Sequence, residues 1–180
     1  MTKPHAREVA EYYNKYLLYD RYYRNHYANR PGSKPCLDPQ ADNQCAVRLS
    51  CALEGISSGF LDNFDPPDRV HRDRKTCMNL PPHVLGAAEL GRYISQQWGT
   101  PYTLPKRLDM RTTLNNQPGV IWFEKCYETK NHVRSDHIDF WTGGHYMNEV
   151  LHESAGGNAS VTDDLFMKSK GSVRFFSLVP

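Results

Sequence analysis

Cys45, His137 and Asn148, the last a polar group to steady the imidazole with Asp139 as the alternative, are the residues of this sequence whose types suit covalent chemistry. Thiolate is the nucleophilic form of cysteine, and a helix start favours it because unpaired N–H groups and the helix dipole attract negative charge. Cys45 follows Asp42-Asn43, either of which caps a helix, and Ala46, Leu49, Leu53 and Ile56 then recur at helical spacing until Gly55 offers a stop. That spacing predicts Cys45 in the first turn of a helix with one buried face, where nearby backbone N–H groups would also hold an oxyanion. A small buried cysteine that serves only packing fits the same position.

A cysteine nucleophile needs a base. His137 opens the run His137-Ile138-Asp139-Phe140-Trp141, which ends at the turn formers Thr142-Gly143-Gly144, and strand alternation places His137, Asp139 and Trp141 on one face. If Thr142-Gly143 forms a hairpin turn, His137 lies opposite Asn148; if Gly143-Gly144 does, Asn148 lies opposite Asp139 and diagonal to His137. Either register leaves an amide oxygen in reach to orient the ring, completing a Cys-His-Asn set of the papain kind. A structural histidine and a strand-edge asparagine are the plain alternative. A zinc site from His132, His137, Asp139 and His145 is not expected, because their spacing matches no compact ligand pattern.

Several elements must hold these groups. Residues 4–27 read as an amphipathic helix with Val9, Tyr13, Tyr16, Leu17 and Asp20 on one stripe. Residues 29–42 carry Pro31, Gly32, Pro35 and Pro39 and read as a loop, after which comes the Cys45 helix. Beyond a polar stretch at 62–82, Ala87, Leu90, Gly91, Ile94 and Trp98 mark a second buried-faced helix ending at Gly99. Short β-branched and aromatic runs at 120–123, 137–141, 146–151 and 172–179 predict an antiparallel sheet, with 154–160 a loop. Helices first and strands after predict an α+β fold, and 180 residues suit a single domain spanning 1–180.

Charge excludes little: 22 basic against 20 acidic residues give a formal +2, too weak a field to draw the chain to nucleic acid or lipid. The interleaved Arg21, Tyr22, Tyr23, Arg24 and Tyr27 would suit stacking on single strands, but tyrosines at helical spacing ordinarily pack inward. No run of about 18 apolar residues predicts a membrane span, and the first twenty residues lack the apolar stretch of a signal peptide. Five cysteines are many for a reducing compartment and leave at least one thiol unbridged.

The block Asn43-Gln44-Cys45-Ala46-Val47-Arg48-Leu49-Ser50, with His137-Ile138-Asp139-Phe140-Trp141-Thr142-Gly143 about ninety residues on, resembles the type VI secretion amidase effector 4 family. A helix-rich first half and an aromatic, apolar close at 175–180 extend the likeness to about two thirds of the chain. The resemblance implies an NlpC/P60-like papain fold and a cysteine amidase, a DL-endopeptidase hydrolysing the γ-D-glutamyl-meso-diaminopimelate bond of peptidoglycan stem peptides. Carried over by position, the nucleophile is Cys45 and the base His137; the family's aspartate on the next strand falls on Asn148, with Asp139 the alternative third member. Arg48, Asp139 and Trp141 are the candidate substrate-binding residues, and neither cofactor nor metal is implied. The resemblance further implies type VI export without a signal peptide, a tube or spike component as carrier, action in a neighbour's periplasm and a cognate periplasmic immunity protein. In that compartment Cys36, Cys51, Cys77 and Cys126 are candidates for bridges whose pairing stays open. The rival readings are an inert wall-binding module of the same fold, which asparagine at 148 would suit, and a nucleic-acid-binding domain.

Overall fold

The computed structural model describes residues 1–15, 45–71, 80–105, 113–114, 116–128, 134–144 and 170–179. The chain is helical over residues 6–15 (α1), where the His5 N–H donates to the Glu8 carboxylate at 3.1 Å, the backward half of a capping box. Helix α2 is Cys45–Ile56 and α3 is Ala87–Trp98. Helix α3 stops where the periodicity says it should, at Gly99, whose φ of 87° lies in the left-handed region that only glycine enters without cost. Among the described residues the strands are, in chain order, β1 (Val70–His71), β2 (His83–Val84), β3 (Tyr102–Leu104), β4 (Gly119–Glu128), β5 (Arg134–Trp141) and β6 (Val173–Ser177).

The last four form one sheet in the order β3-β6-β4-β5 with every neighbouring pair antiparallel, while β1 and β2 make a small separate pair. The α+β expectation holds, as helices packed on an antiparallel sheet. Among the described residues no helix is long and apolar enough to cross a membrane.

Strand period decides which core each side chain joins. Val120, Trp122, Ile138, Phe140 and Phe176 face the helices and join Val9, Tyr13, Leu49, Leu53, Leu90 and Ile94 in the larger cluster. Residues on the opposite face, Ile121, Phe123, Trp141, Val173 and Phe175, close with Leu104, Leu114 and Cys126 in a second one. Helix α3 approaches β4 so closely at Gly91 that a β-carbon there would overlap the Trp122 ring. The ends of the chain are tied together: the Ala6 N–H donates to the Val179 carbonyl at 2.8 Å, which seats α1 beside β6.

A bulge interrupts the β4–β5 ladder between Phe123 and Tyr127, with Lys125 at φ 55°. Asp136 fixes it by accepting from the Lys125 N–H at 3.0 Å and from the Trp122 indole N–H at 2.8 Å. This sets the stagger in which Phe123 lies opposite His137 and Ile121 opposite Asp139.

The serine of the Cys45 block has a structural role. Ser50 is fully buried, donates to the Ala46 carbonyl at 2.6 Å and accepts from the Val84 N–H at 3.0 Å, which ties α2 to β2. Ser50→Ala removes the acceptor of a buried N–H, so a loss of about 1–3 kcal/mol is expected. Equilibrium urea unfolding measures it, and an unchanged midpoint would contradict the tie.

Candidate active site

Three elements converge on one buried point. Cys45 opens α2, with 4% of its surface exposed; His137 on β5 has 6% and Asp139, two residues on, none. The Cys45 thiol and the His137 imidazole are hydrogen-bonded partners, and the Ile138 backbone N–H donates to the same sulfur. Imidazole Nε2 stands 3.7 Å from Asp139 Oδ2, an ion-pair contact longer than a hydrogen bond. Asp139 Oδ1 accepts from the Tyr13 hydroxyl at 2.7 Å and from the Phe140 N–H at 2.8 Å. Tyr13 arrives from α1, fully buried, with its ring against Phe140.

Electrostatics divides the cysteines. Burial opposes ionisation of Cys45, yet the His137 charge, the His137 hydrogen bond and the Ile138 N–H together outweigh it and hold the thiol below its ordinary value. Burial likewise disfavours a charged His137, but the Cys45 thiolate and the Asp139 carboxylate raise its pKa well above the ordinary imidazole range. The favoured state is a thiolate-imidazolium pair. Cys51 and Cys126 behave oppositely: burial drives the Cys51 thiol far upward and pushes Cys126 up to about 12. Neither is in a disulfide bond, so the bridges considered for them are not formed here, and Cys36 and Cys77 lie outside the described residues.

The structure thus brings Cys45, His137 and Asp139 together. The strand described beside β5 is β4, which precedes it in the chain, whereas the hairpin considered above pairs it with the segment that follows. That segment, with Asn148 and His145, and also His132 and residues 21–27, lies outside the described residues. Arg48 is half-buried one helical turn from Cys45, where its charge favours ionisation of Tyr13. Trp141 is 1% exposed within the second core cluster, a packed position rather than an open one for contacting substrate. Two contributors escaped sequence reasoning, the Tyr13 hydroxyl and the Ile138 N–H. Tyr13 carried a signal only as a stripe residue of an amphipathic helix, and the Ile138 N–H carried none.

Over residues 41–176 of its 180, the sequence matches the family described as type VI secretion system (T6SS), amidase effector protein 4. The chain belongs to that family. The match takes in the Cys45 and His137 blocks and begins after α1. Membership makes the chain an amidase effector of the type VI secretion system. Its fold is similar to that of the effector Tae4 from Salmonella typhimurium in a crystal structure with the immunity protein Tai4 from Enterobacter cloacae. The two share 12% identity over 99% of this chain and 100% of that one, with a TM-score of 0.52. The Tae4/Tai4 effector-immunity system from Salmonella typhimurium is similar at 13% identity, the same coverage and a TM-score of 0.51. At such identities the likeness is one of fold. No curated protein matches the sequence significantly.

Proposed function

We propose that this effector is a cysteine amidase that opens peptidoglycan at the γ-D-glutamyl-meso-diaminopimelate bond, with Cys45 as nucleophile, His137 as acid and base, and Asp139 as the group that orients His137. Action on peptidoglycan is what amidase-effector membership supports, and the chosen bond rests on the resemblance carried by the two sequence blocks. One observation carries the cysteine mechanism: the only thiol among the described residues whose pKa is lowered is the one hydrogen-bonded to a histidine whose pKa is raised.

The steps follow from that pair. Cys45 Sγ attacks the amide carbonyl carbon, and the oxygen takes the negative charge, for which the first-turn N–H groups of α2 are the nearest helix-terminal donors. The imidazolium gives its proton to the leaving amine nitrogen, the C–N bond breaks and a thioester remains. Neutral His137 then takes a proton from water, hydroxide adds to the thioester and the thiolate leaves, which restores the pair. Asp139, whose Oδ2 faces Nε2 at 3.7 Å, stabilises the imidazolium. No step calls for a cofactor.

An NlpC/P60-like papain arrangement is part of the same reading, supported by a helix that opens on the nucleophile and packs on an antiparallel sheet carrying the base. So is a single amidase domain over 1–180. We extend the reading to delivery and control: export on a tube or spike component, work in the periplasm of a target cell, and inhibition in the producer by an immunity protein, as the solved Tae4 structures pair an effector with Tai4.

Digestion of purified Gram-negative peptidoglycan, with fragments identified by mass, tests the bond. New fragments whose amino terminus is diaminopimelate are expected. Fragments cut at the glycan-alanine amide, or none, would contradict the assignment.

A further inference from the structure

We propose that Tyr13 is a positioning residue of this site: its phenol, delivered by α1, holds the Asp139 carboxylate with Oδ2 turned toward His137. This rests on the reading of Cys45 and His137 as the reacting pair.

Asp139 is fully buried on a strand, and a polar group in such a place needs donors to hold it. Its Oδ1 has two, the Phe140 N–H at 2.8 Å and the Tyr13 hydroxyl at 2.7 Å. The first comes from the adjoining residue and constrains the rotamer only locally. The second reaches across 126 positions of sequence from another element and fixes the carboxylate plane from outside β5. With Oδ1 so engaged, Oδ2 is the oxygen left to face Nε2, and it does so at 3.7 Å.

Tyr13 is anchored for the task. Its ring lies against Phe140, Val9 one turn back is fully buried, and α1 is pinned to the segment after β6 through Ala6 and Val179. The hydroxyl also keeps its proton and so remains a donor: burial comes first, then the Asp139 charge, and both raise its pKa well above the ordinary tyrosine value. Among the described residues, the titratable and charged groups that act on this cluster are Tyr13 from α1, Cys45 and Arg48 from α2, Cys126 from β4 and Asp139 on β5 beside His137. Because α1 precedes the segment that matches the family, this control of the imidazole would be supplied from outside the matched part of the chain.

Tyr13→Phe tests the assignment, since it removes one oxygen and keeps the ring. Without the phenol, Asp139 Oδ1 loses its donor from α1, the carboxylate turns, and His137 loses its charge partner. The expected result is a roughly tenfold fall in kcat on soluble stem peptides, KM unchanged, and an alkaline limb of the pH-rate profile moved to lower pH. In an Asp139→Asn background the same substitution should change kcat by less than twofold, because the carboxylate it serves is already gone. Wild-type kcat and an unmoved alkaline limb in Tyr13→Phe would overturn the proposal, whether or not thermal stability falls. So would an equal loss in both backgrounds. If Cys45→Ala still cleaves, the reading of the site has failed instead; if it does not cleave while Tyr13→Phe matches wild type, only this inference fails.

Discussion

Replacing Cys45 with alanine is expected to slow peptidoglycan cleavage by about 10⁴-fold or more while leaving the fold in place. The size of the loss follows from the role, since no other described thiol is ionised: burial holds Cys51 and Cys126 in the protonated form. The retained fold follows from packing. Cys45 sits at the helix start, and losing one sulfur leaves a gap smaller than a methylene-rich side chain would. Turnover of soluble stem peptides and a thermal melt read the two parts separately. A variant that melts like wild type and still cleaves would remove Cys45 from the reaction.

The second large effect concerns the group that steadies the base. Asp139→Ala should lower kcat by about 10²-fold to 10⁴-fold, because His137 loses the charge that fixes its tautomer and supports its imidazolium. It should also cost about 1–3 kcal/mol of stability, as the buried Tyr13 hydroxyl then has lost its acceptor. Asn148→Ala should cost far less turnover. The reverse order, measured on soluble stem peptides, would return the orienting role to Asn148.

The sequence shows why both residues had a claim. Alternation along His137-Ile138-Asp139 puts the acidic group beside the base whatever the strand pairs with, so that relation was legible from period alone. Asn148 depended on a hairpin register read forward from Gly143, whereas the described partner of β5 lies before it, with Phe123 opposite His137. Helices α2 and α3 and strands β4 to β6 were legible because each carries several turns or pleats of pattern. Strands β1, β2 and β3 were not, being two or three residues long, too short for alternation to register. Helix α2 also runs one residue beyond Gly55, since a glycine permits a stop without imposing one. The Tyr13–Asp139 hydrogen bond was out of reach altogether: it joins elements that meet only through the tertiary fold, and nothing local at either end signals the other.

The state of a single sulfur carries the account. Its thiolate exists above the lowered pKa of Cys45, and its imidazolium partner persists until the raised pKa of His137 is passed, so the ion pair occupies the interval between them. The rate of Cys45 alkylation by iodoacetamide, followed by mass across pH in wild type and in His137→Ala, reads this directly. Wild type should reach its thiolate plateau below the ordinary thiol range near about 8.5, and His137→Ala should move the midpoint upward, because burial then acts unopposed by the imidazolium. A wild-type midpoint in or above that range, unmoved by the loss of His137, would contradict it.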